Sequence, residues 1–417
     1  MGFALPFYPV PGTLRPVMTP RSLRRFATLL LAAGFLAALA GSPTHARAEA
    51  VWNVVKYEGR DYLTMRNIAD FYRLQYSPGG RSITLSSPGC TIKGDVGSKE
   101  LIINGVKFIM SSDIAESGGE MLLSRLDLTK LVEPVLRPNR IRGLQPLRTV
   151  IIDPGHGGSE SGASSIYGVE KAFTLDTSLR LRDLLLKRGY KVEMTRTTDA
   201  QVPLQDRAAF ANRFRDGIFV CIHFNAGSEA GTGIETYTLA PRFVPSTGDD
   251  SPNANCMIPC AGNVEDPENM ALATAMHASL LSRLPMVDRG IKRARFCVLR
   301  LTTIPAVLIE GGFVSNPSEA AKIATPAYRQ AEAEAIASAI DNYRAATSPT
   351  GKPPTMLVND GNTNRPSLSI TPGSMQMQGG VPSIGGSVPL DTAVKKVSTG
   401  PTVVVPRSNG VGSGSGN

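Results

Sequence analysis

The sequence predicts an α/β protein: a main domain with a mostly parallel sheet flanked by helices, preceded by a small α+β domain and followed by a disordered tail. Three observations support this prediction. Strand-like and helix-like segments alternate between residues 148 and 344, short strand-like segments dominate residues 51 to 140, and residues 345 to 417 contain no aromatic side chain. Such alternation is typical of a parallel sheet, because parallel strands are joined by crossovers that are usually helical.

Residues 1 to 48 have the layout of a secretory signal peptide. Arginines precede an apolar run at residues 26 to 40, and small residues follow it. The run is short for a membrane span, and an anchor that is never cleaved is the alternative. Met18 is a second candidate for the true start, and Arg24-Arg25 leaves a twin-arginine signal open. We therefore expect an exported protein without a transmembrane anchor after cleavage.

Residues 51 to 140 are predicted to form the small α+β domain. In the segment LIINGVKFIM, Asn104-Gly105 separates two apolar runs, which is typical of a hairpin turn. A helix is predicted near MRNIADFYRL, at residues 65 to 74. The region has no cluster of histidines, cysteines or paired acids, and the Pro-rich segment 134–146 connects it to the main domain.

Residues 148 to 344 are predicted to form the main domain. Strands are predicted at TVIIDP (149–154), YKVEMTR (190–196), GIFVCIH (217–223), GIETYTL (233–239), FCVLR (296–300) and PAVLIEGG (305–312). Helices are predicted at 170–189, where Gly189 is a plausible C-cap, at 204–214, at 268–284 and, interrupted by Pro326, at 318–344.

Residues 345 to 417 are predicted to be a disordered tail. Gly and Pro make up 21 of these 73 residues, so the segment cannot bury enough apolar surface to offset the entropy of ordering it.

The five cysteines all lie in the exported part of the chain. Cys221 and Cys297 lie in apolar strand-like runs and are predicted to be core residues. Cys256 and Cys260 are close enough in sequence for a local disulfide, and two free thiols are the alternative. A zinc knuckle is a weaker interpretation, because no second pair of Cys or His lies nearby.

The charge balance argues against a nucleic-acid partner. The chain has 44 basic and 35 acidic residues, and residues 1 to 48 hold five arginines and no acid. The remainder therefore has 44 − 5 = 39 basic residues against 35 acidic ones, a net charge of +4. So mild an excess is compatible with work on an anionic polymer such as a cell wall.

Three polar residues lie at the ends of separate apolar strands: His156, His223 and Glu310. In open α/β sheets, ligands bind outside the carboxyl ends of the strands. Glu170 begins the helix that follows the glycine loop after His156. Two histidines and one carboxylate would provide three ligands for a tetrahedral zinc with one position open to water. A second carboxylate could then take a proton from that water.

The simpler interpretations differ in strength. A single histidine at a strand end is most often a turn residue, but two histidines and a glutamate at three strand ends rarely coincide by accident. His277 lies in a helical apolar pattern and is predicted to be packed or partly exposed, and His45 lies in the signal segment. Glu160 competes with Glu170 as a ligand by proximity, but it lies in the loop GSESGA.

Several segments in order resemble one family. VIIDPGHGG, GVEK, R…D…R…AN, CIHFNA, RGIKRARFCVL and PAVLIEGGFVSN together resemble the zinc-dependent N-acetylmuramoyl-L-alanine amidases, over residues 148 to about 344. The resemblance implies that His156, Glu170 and His223 bind Zn2+ and that Glu310 is the catalytic glutamate. The loop SESGA departs from the acidic residue and Pro-Gly-Ala of relatives, and Cys221 stands where many have Ser; neither is a ligand position.

The resemblance also implies the reaction. The expected substrate is peptidoglycan, and the expected bond is the amide between the lactyl group of muramic acid and the L-alanine of the stem peptide. Zinc would polarise the carbonyl and lower the pKa of a water molecule, and Glu310 would pass the proton to the leaving amine. The expected location is the periplasm or cell envelope of a bacterium.

Residues 51 to 140 resemble the small stalk-like domain at the N-terminus of copper amine oxidases, a likeness that implies neither copper nor catalysis. We expect this region to position the enzyme, so that a protein beginning near Leu147 keeps its turnover on small soluble muropeptides.

An insertion at residues 240 to 267 bears on regulation. In several relatives a helix inserted at this position covers the zinc until an activator displaces it. The segment here has five prolines, two glycines and no helical periodicity, so we expect it to line the groove. The expectation is that no activator protein is required.

Two other functions are weighed against the amidase. One is a secreted zinc carboxypeptidase or endopeptidase that acts on stem peptides, which would use the same metal chemistry. The absence of H-E-x-x-H from the chain removes one large class of metalloproteases. The other is a wall-binding protein without activity, which the presence of all three ligands and Glu310 disfavours.

Overall fold

The computed structural model describes residues 52–249 and 258–349. The signal segment, Cys256 and the tail beyond residue 349 lie outside these ranges, so the predictions for them stay predictions. The described residues form a mixed sheet with helices on both faces, together with two smaller sheets, which confirms the predicted α/β class. No helix within these ranges combines the length and apolar character that crossing a membrane requires.

The N-terminal region is built mainly from short strands. Its elements are β1 (Val54–Tyr57), β2 (Arg60–Thr64), α1 (Met65–Tyr72), β3 (Gln75–Gly79), β4 (Ser82–Ser87), β5 (Cys90–Asp95), β6 (Glu100–Ile103), β7 (Val106–Ile109), β8 (Ala115–Ser117), β9 (Glu120–Ser124), α2 (Arg125–Asp127), a π-helical turn (Leu128–Val132), α3 (Glu133–Leu136) and a 3-10 turn (Pro138–Arg140). The predicted helix is α1, whose Thr64 side chain accepts the N–H of Asn67. The predicted hairpin joins β6 and β7 through Asn104 and Gly105, both with positive φ.

The main domain alternates strands and helices. Its elements are β10 (Thr149–Pro154), β11 (Ser164–Ser165), β12 (Gly168–Val169), α4 (Glu170–Lys187), β13 (Lys191–Met194), α5 (Leu204–Ala211), β14 (Gly217–Asn225), β15 (Ile234–Leu239), a 3-10 turn (Ala261–Glu265), α6 (Asp266–Arg283), β16 (Asp288–Ala294), α7 (Cys297–Leu301), β17 (Ala306–Phe313), α8 (Pro317–Ile323) and α9 (Pro326–Thr347). Helix α9 extends three residues past the predicted start of the tail.

The prediction of a strand at FCVLR is wrong. Residues 297–301 form helix α7, and the strand before it, β16, ends at Ala294. Val298 and Leu299 are buried against the sheet from a helix, whereas Cys297 is only half-buried instead of lying in the core. A five-residue apolar run has no periodicity long enough to separate a short helix from a strand, which explains the error.

One eleven-stranded sheet runs through both regions. Its order is β13-β10-β14-β17-β15-β16-β7-β6-β5-β4-β3. From β13 to β16 the neighbours are parallel except for β15 against β17, as predicted for the main domain. Beyond β16 the sheet continues into β7 and an antiparallel meander. The sheet therefore crosses the boundary proposed between the two domains. The division into two separate domains stays a prediction.

The two faces of the sheet are covered unequally. Helices α4, α6 and α9 contribute to the large hydrophobic cluster on one face. The other face has a small cluster that includes Phe219, Cys221 and Leu308, covered by α5 and α7. Residues two apart along a strand share a face. His223 and Glu310 therefore lie on the thinly covered face, one step beyond the end of its cluster.

A buried ion pair joins the N-terminal region to the main domain. Arg293 of β16 donates from Nη1 to Oδ1 of Asp127 at 3.0 Å, and the two side chains are 2% and 0% exposed. Asp127 also accepts the backbone N–H groups of Ser111 and Ser112. A protein that begins near Leu147 would lose both Asp127 and β7, and would leave Arg293 without this carboxylate. We therefore expect such a truncation to lower stability as well as to remove any positioning role.

The substitution Asp127→Asn tests this coupling. Because it leaves a buried guanidinium without its countercharge, we expect the free energy of unfolding to fall by about 3–5 kcal/mol. The matched control is Asp61→Asn, whose carboxylate pairs with Lys56 and Arg125 near the surface and whose loss should cost about 0–1 kcal/mol. Urea denaturation measures both, and equal small losses would contradict a structural role for the Asp127–Arg293 pair.

Candidate metal centre

The loop after β10 brings His156 out of the sheet at a sharp turn. His156 has a φ of 59°, in the left-handed region that non-glycine residues rarely occupy. Gly155 lies against the ring of His223, where a Cβ atom would come within 2.4 Å of Cε1. At Gly162, which has a φ of 68°, a Cβ atom would come equally close to Oε2 of Glu170. Only glycine permits these approaches, so Gly155 and Gly162 let the loop pass close to His223 and Glu170.

Glu170 is the centre of the cluster. It is the first residue of α4, where a negative charge is favoured by the helix dipole. Its Oε2 lies 3.1 Å from Nε2 of His156, and its Oε1 lies 2.9 Å from Nδ1 of His223. The backbone N–H groups of Ala163 and Phe224 donate to the same two oxygens. Burial raises the pKa of Glu170, but the two histidines outweigh it and hold the pKa well below its usual range.

Glu310 lies beside the cluster on the neighbouring strand. In the parallel pairing of β14 with β17, it is the register partner of His223. Its Oε2 is enclosed and has no hydrogen-bond partner within the described residues. Burial, followed by the charges of Glu170, Glu235 and Glu332, raises the pKa of Glu310 well above its usual range. Such a shift disfavours the charged form, and a buried carboxyl with a perturbed pKa is a candidate for proton transfer.

The cluster fits a zinc ion by its chemistry. One ligand atom from each of His156, Glu170 and His223 lies within 4.8 Å of the others. Two imidazoles and one carboxylate are a donor set that catalytic zinc uses. The unpartnered Oε2 of Glu310 is a fourth polar atom in the same enclosure, and it is free to bond a water or substrate group.

Two buried arginines hold the loop that carries His156, and the sequence analysis gave them no role. Arg207 on α5 pairs with Asp153 at 2.8 Å and donates to the carbonyls of Pro154 and His156. Arg196 donates to the carbonyls of Pro154 and Gly155. Both belong to the segment R…D…R…AN, so the motif was visible, but these contacts join residues 41 to 54 positions apart and no local pattern reveals them.

A second charged network lies next to Glu310. Glu235 of β15 is the register partner of Glu310 on the neighbouring strand β17, and it is almost fully buried. It accepts hydrogen bonds from Arg289, Lys292, Tyr237 and Asn225. Burial raises the pKa of Glu235, but these partners outweigh it and lower the pKa below its usual value. The sequence analysis did not single out Glu235, because nothing in GIETYTL distinguishes it from an ordinary strand residue.

The competing candidates lie elsewhere. Glu160 accepts a hydrogen bond from Gln201 at the surface and is not part of the cluster of ligand atoms. His277 is fully buried in α6 between Thr236 and Asp288, as a packed helix residue. Cys260 is a free thiol, and its suggested partner Cys256 lies outside the described residues.

The insertion after β15 is described in two pieces, 241–249 and 258–265. The first contains no helix, and the second contains the short 3-10 turn Ala261–Glu265. Residues 250–257 lie outside the described ranges, so the expectation that this insertion does not inhibit the enzyme stays a prediction.

Comparison with known proteins points to one family. A family model described as N-acetylmuramoyl-L-alanine amidase matches residues 150–342. N-acetylmuramoyl-L-alanine amidase CwlM of Bacillus licheniformis is 36% identical over 193 residues, which cover 46% of this chain and 66% of that protein. Uncharacterized protein YqiI of Bacillus subtilis (strain 168) is 33% identical over 196 residues, which cover 47% of this chain and 84% of that protein.

One solved structure is also similar to part of this chain. The catalytic domain of CwlV, an N-acetylmuramoyl-L-alanine amidase from Bacillus (Paenibacillus) polymyxa var. colistinus, is 31% identical, with a TM-score of 0.40. The match covers 47% of this chain and 98% of that domain. This chain thus spans just under two thirds of the length of CwlM, and the family match leaves residues 52–140 outside it.

The role of Arg207 in holding His156 is tested by Arg207→Lys. Lysine keeps a positive charge beside Asp153 but lacks the fork that reaches two carbonyls. We expect the folded variant to bind zinc about 10- to 100-fold more weakly, because a supporting contact of a ligand is lost. Competition with a chelator measures the affinity. Arg213→Gln is the control, since Arg213 stacks on Phe210 at the surface; unchanged zinc affinity in Arg207→Lys would exclude the positioning role.

Proposed function

This chain belongs to the N-acetylmuramoyl-L-alanine amidase family, and we propose from this premise that it is a zinc-dependent peptidoglycan hydrolase. The bond cleaved is the amide between N-acetylmuramic acid and the L-alanine of the stem peptide. The single observation that carries the proposal is the meeting of His156, Glu170 and His223 beside Glu310 on one open face of the sheet.

Contacts within the protein hold two of the three proposed ligands in place. Glu170 is fixed by two backbone N–H groups, and His156 is fixed through the carbonyls that Arg207 and Arg196 bind. Such support orients ligands and raises metal affinity. When bound, zinc supplies Lewis acidity that polarises a carbonyl and lowers the pKa of a water molecule.

Glu310 is proposed to carry the proton. Hydrolysis adds water across the amide: the C–N bond breaks, a carboxylate forms on the lactyl group, and L-alanine leaves as an amine. Glu310 accepts the proton of the attacking water on a carboxylate oxygen and donates it to the leaving nitrogen. Its raised pKa supports this assignment, because a perturbed carboxyl in a buried site is a candidate for proton transfer.

The alternatives predict different products. A zinc peptidase that acts on stem peptides would cut within the peptide, whereas an amidase releases the intact peptide with a free L-alanine amine. A wall-binding protein would release nothing. The unpartnered oxygen of Glu310 favours an enzyme, because a buried polar atom without a partner is costly unless it has a function.

The proposed setting is the cell envelope. The layout of residues 1 to 48 supports export to the periplasm or cell envelope of a bacterium. One of the related proteins is described as a probable cell wall amidase, LytH of Staphylococcus epidermidis. Peptidoglycan is the proposed partner, without nucleic acid, and activity is expected without an activator protein.

Zinc content and hydrolysis measured side by side test the site. Replacement of His156, Glu170 or His223 by Ala should release zinc and abolish hydrolysis together. Glu310→Gln should retain zinc while kcat falls by roughly a hundred- to ten-thousand-fold, because only the proton carrier is lost. Metal analysis of the purified proteins and mass spectrometry of peptides released from purified peptidoglycan give the two readouts.

Glu160→Ala is the control for these variants and should keep both zinc and hydrolysis. Zinc lost from Glu310→Gln but kept by Glu170→Ala would reverse the assignment of the two carboxylates. Peptides lacking the L-alanine amine would point to a peptidase instead.

A further inference from the structure

Two cations lie near Glu310 without a part in the proposed hydrolysis. Arg289 and Lys292 are on β16, within the segment RGIKRARFCVL, and both pair with Oε1 of Glu235, at 2.5 and 2.6 Å. Oε2 of Glu235 is occupied by Asn225 and Tyr237. Glu235 is thus fully satisfied, and it anchors the two cations at the edge of the site.

The strand order gives the spacing between the strand that carries these cations and the strand that carries Glu310. Glu310 of β17 is the register partner of Glu235 on β15, and β16 lies next to β15. Neighbouring strands are about 4.8 Å apart, so β16 runs roughly 10 Å from the strand of Glu310. His223, Glu310 and Glu235 form one row across β14, β17 and β15, and Arg289 and Lys292 join the end of this row through Oε1 of Glu235.

Arg289 and Lys292 together carry more positive charge than is needed to neutralise Glu235. Two cations face one carboxylate, so one positive charge remains in excess. Lys292 is 16% exposed, whereas Arg289 is 38% exposed and its recorded hydrogen bond uses Nε alone. Its two Nη atoms have no recorded partner within the described residues. The guanidinium also stacks on Phe313, with 5.1 Å between Cζ and the ring centroid.

These contacts hold the Arg289 guanidinium in a fixed orientation and leave its outer edge, with the two Nη atoms, available. A guanidinium held on one edge by Glu235 and on its face by Phe313 has little freedom left to lose. Its free edge offers two parallel N–H donors, the geometry that binds a carboxylate at two oxygens. Lys292 alone would neutralise Glu235, so the second cation is best explained by an anion that arrives with the substrate.

We propose that Arg289, supported by Glu235 and Lys292, binds a carboxylate on the peptide side of the scissile amide. The proposal rests on the proposed function. The glycan consists of neutral N-acetylated sugars joined to peptide at the lactyl group, so the carboxylates of the substrate lie on the peptide. An extended peptide advances about 3.3 Å per residue, so roughly 10 Å corresponds to the second or third residue after the amide.

A pair of matched substrates tests the proposal with the purified full chain. Both are synthetic N-acetylmuramoyl-L-alanyl peptides; one has free carboxylates on the second and third residues, and the other has carboxamides there. We expect the wild-type protein to favour the carboxylate substrate by roughly tenfold in kcat/KM, mainly through KM, as fits one charge-assisted contact at a half-exposed position.

Variants of Arg289 separate this role from a structural one. Arg289→Gln should bring the ratio of the two substrates to about one by raising KM for the carboxylate substrate, and Arg289→Lys should restore part of the preference. The matched control is Arg283→Gln. Arg283 is similarly exposed and forms an ion pair with Glu334. This pair joins α6 to α9, on the face opposite to Glu310, so the variant should keep the wild-type ratio.

Failure of this inference differs from failure of the proposed function. Equal rates on both substrates in the wild-type protein, or equal loss on both in Arg289→Gln, would overturn the subsite. No L-alanine amine released from either substrate would overturn the hydrolysis instead. In that case calorimetric binding of the two substrates to the full chain decides the subsite: preference for the carboxylate, lost in Arg289→Gln, supports it, and equal binding overturns it.

Discussion

The register between parallel strands β14 and β17 sets His223 beside Glu310, and the other parts of the site are arranged around that pairing. The helices α5 and α7 cover this face only as far as Cys221 and Leu308. The next side chains on the same face, two residues further along each strand, lie beyond the edge of this hydrophobic cluster. Two neighbouring strands therefore deliver the proposed ligand and the proposed proton carrier to one opening, because they share a direction and a register and their cover ends at the same level.

The loop that completes the site is held in a conformation that its sequence alone would not favour. A left-handed backbone at His156 costs on the order of 1–3 kcal/mol. Arg207 and Arg196 offset that cost by binding the carbonyls of the loop, and Asp153 neutralises Arg207 inside the protein. Buried charge is thus used here for orientation. A buried ion pair adds little stability compared with apolar packing, but it fixes the direction of its hydrogen bonds.

The sequence allowed prediction of those parts of the fold and site that depend on local patterns. The strands at 149–154, 217–223 and 305–312, the helix beginning at Glu170 and the Asn104-Gly105 hairpin each follow from periodicity or turn chemistry within about ten residues. The predicted strand ends are less exact, because β14 continues past His223 to Asn225 and β17 continues past Glu310 to Phe313. FCVLR failed because five apolar residues carry too little periodicity. The contact of Arg207 with Asp153 and that of Glu235 with Arg289 each join residues 54 positions apart. The continuation of the sheet from β16 into β7 pairs Ile291 with Phe108, so local patterns cannot contain these features.

Three carboxyl groups lie around this opening and a fourth lies on the opposite face of β17, and their partners decide the direction in which each pKa moves. Glu170 has two histidines, and Glu235 has two cations, so the pKa of each is lowered. Glu332 lies behind β17 with only a long hydrogen bond from Thr177, and burial raises its pKa well above its usual range. Burial and the charges of the other three raise the pKa of Glu310 as well, but Glu310 alone of these two shares a face with the ligands. A divalent cation held by His156, Glu170 and His223 would oppose the charges that raise its pKa and would favour its carboxylate form. Glu332, enclosed on the opposite face, lies further from such a cation. The proposed proton carrier would therefore respond to a cation at the proposed metal centre through electrostatics.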